Sequence, residues 1–354
     1  MRIAILSFSS EGQLLGRRLR EALEGRGSDC TLRRCPEGGL REWTQNHFLS
    51  NDALIFVGSC GLAVRAIAPF VQSKSSDPAV LVIDETGKFV ISLLSGHLGG
   101  ANELTKWVAE ELSATPVITT ATDRRGLFAV DSWARRNGYF VSNPEKIKEV
   151  SSALLEGKTV TFCSDFPISG KVPEQLRLLQ RDRSEAEKEA GEQKPGEIGF
   201  SVSWQRRESE ELRIVVPSLY IGIGARKGIS SEAVEQLVDR CLKELKASPL
   251  AVKAVASIDL KANEEGIFEC CARHAWTFLC FSQEELARVE GDFSASAFVK
   301  EVTGVDNVCE RSAVLAAGQG SRLLLRKQSL DGVTCAIALE AISLSFDTAQ
   351  PQQP

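Results

Sequence analysis

Short, almost wholly apolar runs punctuate the first 120 residues. Residues 2–7, 53–57, 79–83, 89–93 and 115–119 read as strands, too brief for buried helices and bounded by turn residues. Amphipathic stretches lie between them. Ser9-Ser10 offers an N-cap for a helix to about Leu23, apolar at Leu14, Leu15 and Leu19, and Gly25 and Gly27 end it. Val64, Arg65 and Ile67 belong to a second helix stopped by Pro69, and 99–112 to a third. Asp84-Glu85-Thr86-Gly87 is a turn that sends 89–93 back as a strand. Such alternation predicts an open α/β sheet with helices on both faces. Loops 7–10, 58–61, 95–100 and 119–123 follow strands, where these sheets place ligands.

From 139 the pattern weakens. A helix at 143–155 and strands at 159–163, 198–202 and 212–216 flank a charged, glycine-bearing segment at 181–196, expected to be flexible. Alternation resumes at 219, with strands at 219–223, 251–257, 277–281, 323–325 and 333–339. Helices are expected from Ser230 or Ser231 to about 246, at 263–274, from Ser282 to 289, at 294–302 and at 311–317. The expected fold class is α/β: two Rossmann-like open-sheet domains, 1–138 and 217–340, joined by a smaller middle domain at 139–216. The Gln- and Pro-rich residues 341–354 read as a disordered tail.

Composition narrows the function classes. Hydrophobic content of 43% and a charged fraction of 25% over 354 residues suit a globular protein with a real core. A net charge of −5 argues against nucleic acid or an anionic membrane as partner. No apolar run has the length of a membrane span, and the N-terminus turns polar too quickly for a signal peptide, so a cytoplasmic location is expected. The ten cysteines contain no C-x-x-C, and the three histidines at 47, 97 and 274 are far apart. No protein-held metal is expected, and the cysteines read as small buried apolar residues.

Candidate chemistry centres on Ser95-Gly96-His97-Leu98-Gly99-Gly100-Ala101-Asn102-Glu103. Adjacent glycines at a helix start give a carboxylate or an oxyanion access to unpaired N–H groups. His97 is then a general base, or a residue that only braces the loop. Glu103 sits where the helix dipole favours a carboxylate and is a second acid–base candidate. Thr119, Thr120 and Asp123 are either ligand contacts or turn chemistry, with Asp123 a third catalytic candidate. Gly58, Gly61 and Arg65 suit a substrate carboxylate, unless Arg65 simply faces solvent. Gly222-Ile223-Gly224-Ala225-Arg226-Lys227-Gly228 departs from the dinucleotide spacing and reads better as an anion cradle bearing Arg226 and Lys227. Asp259 and Lys261 end a neighbouring strand and contact ligand or pair with each other. Glu310 is a contact or a helix cap. The absence of Walker A and G-x-S-x-G sequences weighs against an ATPase and a serine hydrolase.

Taken in order, these segments resemble the cobalamin-biosynthesis CbiG family, the cobalt-precorrin-5A hydrolases. The N-terminal resemblance runs through 52–58, Gly61-Leu62-Ala63-Val64-Arg65, Asp77-Pro78-Ala79-Val80, 94–103 and 116–123; the C-terminal one through 222–228, Ser257-Ile258-Asp259-Leu260-Lys261, Val308-Cys309-Glu310 and the Lys327 region. The resemblance implies hydrolysis of a ring-A δ-lactone on a cobalt-bearing tetrapyrrole in the anaerobic branch of cobalamin synthesis. The meso carbon between rings A and D then leaves with its methyl group as acetaldehyde. It also implies that cobalt arrives with the substrate, so no cofactor is expected. Arg65, Arg226 and Lys227 suit a polycarboxylate, and a cleft between two α/β domains suits a large flat one. Other enzymes of the pathway and a second copy of the chain are the protein partners this leaves room for. A non-catalytic tetrapyrrole-binding or handover protein, and a nucleotide-binding α/β protein, are the competing readings.

Overall fold

A computed structural model describes residues 1–36, 39–73, 76–120, 127–179, 198–206 and 211–347. The charged segment 181–196, Asp123 and residues 348–354 lie outside the described residues. The chain forms two compact units: Met1–Arg136 with Ile147–Lys158, and Asn137–Lys146 with Thr159–Pro354. Among the described residues no helix is long and apolar enough to cross a membrane.

The first unit holds one six-stranded sheet. Its strands are β1 (Arg2–Ser7), β2 (Asp29–Arg34), β3 (Ala53–Val57), β4 (Ala79–Ile83), β5 (Phe89–Leu94) and β6 (Thr115–Val117), in the order β2-β1-β3-β4-β5-β6. β3 and β4 are buried at every residue, which is why they are unbroken apolar runs. Period-two alternation sends Ile3, Ile5, Ile55 and Leu81 to one face, with Leu15 and Leu19 of α1 (Ser10–Glu24) and Val108 of α4 (Ala101–Leu112). Leu6, Leu54, Phe56 and Val82 go to the other, with Trp43 of α2 (Leu40–His47) and Ile67 of α3 (Cys60–Ile67). Ser9 caps α1 as expected, its Oγ accepting from the Gly12 N–H at 3.0 Å. Leu14 points to solvent instead of the core.

The direction of β5 decides where the loops go. β1 to β4 are mutually parallel, but β5 pairs antiparallel with β4, and β6 follows β5. The reversal is made at Asp84. Its carboxylate accepts from the Thr86 N–H at 3.2 Å, the Phe89 N–H at 2.5 Å and the Thr86 hydroxyl. Burial alone would raise its pKa, but these bonds prevail and hold the carboxyl below the usual aspartate range.

The second unit contains the remaining sheets. β7 (Phe140–Val141), β8 (Val160–Ser164), β10 (Leu176–Leu178), β11 (Gly199–Ser203) and β12 (Leu212–Val215) form one, ordered β10-β8-β11-β12-β7. β13 (Leu219–Ala225), β14 (Val252–Ile258), β15 (Thr277–Phe281), β16 (Arg322–Leu330) and β17 (Val333–Leu339) form the other, ordered β15-β14-β13-β17-β16. β13, β14 and β15 are parallel, and the helix Cys309–Ala317 packs Ala313 and Ala317 against Tyr220, Ala254 and Ala338 of that sheet. The two sheets are stitched together by backbone bonds from the Arg206 N–H to the Lys246 oxygen (2.7 Å) and the Ser248 N–H to the Trp204 oxygen (3.0 Å). The molecule is thus mixed α/β with open, parallel-rich sheets.

The expected loose tail is corrected for residues 341–347. β18 (Leu344–Ser345) pairs in parallel with β9 (Ile168–Ser169), and Leu344 and Phe346 are buried. The Phe346 ring lies edge-on to Phe162, centroids 5.2 Å apart. Ile342, Leu344 and Phe346 alternate with serines, but only Leu344 and Phe346 are buried, and so short a run is easily passed over in the sequence.

Candidate active site

The loop after β5 is closed upon itself. The N–H groups of Gly100, Ala101 and Asn102 donate to the carbonyls of His97 (2.9 Å), Ser95 (3.1 Å) and Gly96 (2.9 Å). The anion site expected from free N–H groups at this helix start is therefore corrected: the loop itself consumes the donors of Gly100, Ala101 and Asn102. Gly100 has φ +80° and lies against the Arg135 guanidinium, where any Cβ would collide. Ser95 also holds a positive φ, 55°, and its Oγ is buried without a hydrogen-bond partner among the described residues.

Asn102 fastens the loop. It is buried, accepts from the Ser92 hydroxyl at 2.7 Å, and donates through Nδ2 to Thr120 Oγ1 at 3.0 Å. Thr120 is thereby joined to the His97 loop, whereas Thr119 is exposed. A Cβ on Gly96 would stand 2.7 Å from Asn102 Oδ1, so Gly96 serves this approach rather than a ligand's.

His97 Nδ1 lies 3.6 Å from Oδ2 of Asp131, in the first turn of the helix Val130–Arg136. Asp131 is 9% exposed at its side chain and His97 21%, so the carboxylate is screened from solvent while the ring still reaches it. Sequence reasoning passed over Asp131; only its place shortly after the threonine-rich strand end hints at it. The same helix accounts for Glu103, whose carboxylate is held by Arg135 at 2.8 Å and Arg136 at 3.4 Å. Glu103, expected as an acid–base candidate, forms an ion-pair brace between α4 and this helix.

Gly58, Gly61 and Arg65 do not join this group. Because β5 and β6 run against β3, the loops at 95–100 and 119–120 emerge at one edge of the sheet and the loop at 58–61 at the other. A five-residue strand separates these edges by roughly 16 Å. The Gly58 N–H bonds the Ile83 carbonyl and its Cα lies beneath the Phe8 ring. Gly61 and Arg65 are exposed. The expectation of one shared site at a single sheet edge is thus corrected.

A second cluster forms at the carboxyl edge of β13 and β14. Arg226 and Lys227 are exposed and have no ion-pair partner among the described residues. The loop is held from below by Glu264, whose Oε1 accepts from the N–H groups of Gly228 (2.6 Å) and Ile229 (3.2 Å) and whose Oε2 accepts from Lys261 Nζ (3.1 Å). Lys261 therefore pairs with Glu264, not with Asp259 as expected, and Asp259 is exposed. Gly224 receives the Thr334 hydroxyl on its carbonyl at 3.2 Å, and Gly222 lies under the helix Cys309–Ala317. Glu310 is fully buried; it accepts from the Ser294 N–H (2.8 Å), the Ser294 hydroxyl (2.9 Å) and the Lys327 N–H (2.7 Å). Its expected ligand contact is corrected to a bracing role, and the sequence carries no sign of these remote donors.

Glu264 yields a pH prediction. Burial opposes its ionisation, but the bonds from Lys261, Gly228 and Ile229 prevail and lower its pKa. Its contribution is complete above the unfolded glutamate value of about 4.3 and disappears as pH falls through the lower folded value. Glu264→Gln is expected to cost about 1 kcal/mol at pH 7 and almost nothing near pH 2, measured by urea unfolding at both.

Four of the cysteines are poor nucleophile candidates. Burial pushes Cys271 up to about 12, and Cys30, Cys270 and Cys309 up to about 11. The other histidines are structural: His274 bonds Glu235 at 2.9 Å and stacks on Trp276, and His47 lies against Trp43 with its ring tilted 38°.

Three family descriptions match in chain order: Cobalamin synthesis G N-terminal over residues 42–123, Cobalamin biosynthesis central region over 128–217, and Cobalamin synthesis G C-terminus over 219–338. The cobalt-precorrin-5A hydrolase of Priestia megaterium is 33% identical over 85% of this chain and 82% of its own. That of Salmonella typhimurium is 35% identical over 86% of each. A solved structure, that of a cobalamin biosynthesis protein G homolog from Sulfolobus solfataricus, is 23% identical, covers 95% of this chain and 96% of its own, and has a TM-score of 0.41. With the N-terminal, central and C-terminal regions matched in one order, and relatives 33% and 35% identical over 85% and 86% of the chain, the chain belongs to the cobalamin-biosynthesis CbiG family.

Proposed function

We propose that this protein hydrolyses the ring-A δ-lactone of cobalt-precorrin-5A and releases acetaldehyde. The observation that carries the reading is the in-order match, over 85% of the chain, to a relative named for that reaction. The geometry around His97 supplies a means. Asp131 faces Nδ1 at 3.6 Å, where its carboxylate stabilises the imidazolium that forms when the ring takes a proton. The water oxygen bonds to the lactone carbonyl carbon as its proton passes to His97. The acyl C–O bond then breaks, and the departing alkoxide takes the proton back. One water is consumed, and a carboxylate and an alcohol are formed; acetaldehyde departs in a later C–C cleavage.

Several features support this assignment. The positive φ of Ser95, beside the loop that carries His97, is a strained backbone position of the kind found at working sites. Arg226 and Lys227 suit the acetate and propionate arms of the substrate. Cobalt is part of the substrate, and the reading assigns the protein no cofactor and places it in the cytoplasm. Turnover in 18O-labelled water tests the step: attack at the acyl carbon puts the label in the new carboxylate, and label in the alcohol oxygen would sink it.

A further inference from the structure

The middle sheet has two unlike faces. Phe162 and Phe200 stack on one, their centroids 5.2 Å apart, and Val202, Leu212 and Ile214 join them in the core. Register puts Thr161, Ser201, Ser203 and Arg213 on the other: Ser201 is the partner of Arg213, and Ser203 of Val215. This second face is also buried, with Thr161, Ser201 and Ser203 each at most 3% exposed. An ordinary half-solvated sheet would show such hydroxyls to water, and an ordinary core would replace them with valine.

The hydroxyl face opens on a cavity of about 480 Å³ within the second unit. Ser201, Ser203, Ser248, Gln205, Arg206 and Arg213 are among its polar lining, and among the described residues no carboxylate lines it. Ser203 is already occupied, donating to Asp165 and accepting from the Gln205 N–H at 2.9 Å. Ser201 and Ser248 are not. Both are more than nine-tenths buried, and neither hydroxyl has a hydrogen-bond partner among the described residues. The Thr161 hydroxyl, farther along the same face, is buried and unpartnered as well. The cavity lies at the carboxyl ends of the parallel strands β11 and β12, and Ser248, Pro249 and Leu250 wall it. Its size is that of a small-molecule site.

We propose that this cavity is a second binding site, for a small molecule presenting a carboxylate or phosphate group. The Arg206 guanidinium supplies the charge, and the buried hydroxyls supply donors that fix the anion's orientation. Nothing in the lactone chemistry needs this site. Its ligand is either a free small anion or one carboxylate arm of a tetrapyrrole.

The test is isothermal titration of the full chain at constant ionic strength with three probes: inorganic phosphate, citrate and uroporphyrin. Wild type is expected to bind at least one, and Arg206→Gln and Ser201→Ala are each expected to weaken that binding about tenfold, the worth of one charge-assisted or buried hydrogen bond. Loss for phosphate or citrate identifies a free anion; loss for uroporphyrin alone identifies a tetrapyrrole arm. Arg206 is exposed, so its variant decides the matter even if Ser201→Ala lowers the melting temperature. The proposal is overturned if no probe binds more tightly than about 10 mM, or if both variants bind every probe as wild type does, which leaves the cavity to water.

Discussion

His97→Ala is expected to lower the rate of acetaldehyde release about a hundred- to ten-thousandfold, the usual worth of a positioned general base. The loss should fall on kcat with KM little changed, because a general base acts in the transition state and not in ground-state binding. Asp131→Asn should cost less. The amide keeps the volume but removes the charge that stabilises the imidazolium at 3.6 Å. Glu103→Gln should behave otherwise. Its carboxylate belongs to Arg135 and Arg136, so stability should fall slightly while kcat stays near wild type. A large kcat loss in Glu103→Gln together with a normal His97→Ala enzyme would reverse the assignment.

Gly222→Ala is expected to be the most damaging single methyl group in the second unit. Its Cβ would overlap the carbonyl oxygen of Cys309 and stand 2.8 Å from the Ala313 nitrogen. Both are backbone atoms of the helix Cys309–Ala317, so no side chain can swing aside. The helix must lift off β13, opening the layer of Ala313, Ala317, Tyr220 and Ala338. The cost should be about 3 kcal/mol or more, read from urea unfolding. Lifting the helix also displaces Glu310 and with it the bonds to Ser294 and Lys327. Gly228→Ala makes the useful contrast. No atom lies within 4 Å of its would-be Cβ, so its φ of +72° alone is strained and about 1 kcal/mol is expected.

These two glycines also show what the sequence conveys and what it hides. Strands such as β3 and β4 are legible because both faces are buried and every residue is apolar. Edge elements are not: Asp29-Cys30-Thr31-Leu32-Arg33-Arg34 pairs only with β1, carries mostly exposed side chains and gives no pattern. The turn at Asp84 is legible, and so is the return of β5, yet its consequence is not local. One antiparallel strand moves the His97 loop to the edge opposite Arg65. The glycine-rich segment 222–228 is visible as a motif, but its three glycines answer three separate needs: helix packing, the Thr334 contact and a left-handed turn. His97 stands out by its setting. Its partner Asp131 lies 34 positions later in an unremarked helix, and pairing over that span is decided by the fold.

Anaerobic turnover of cobalt-precorrin-5A with chemical trapping of acetaldehyde tests the central claim most directly. Acetaldehyde equal to the substrate consumed, with the yield over the same interval collapsing in His97→Ala, is the predicted result. Tight binding of the substrate by wild type with no acetaldehyde above background would contradict it.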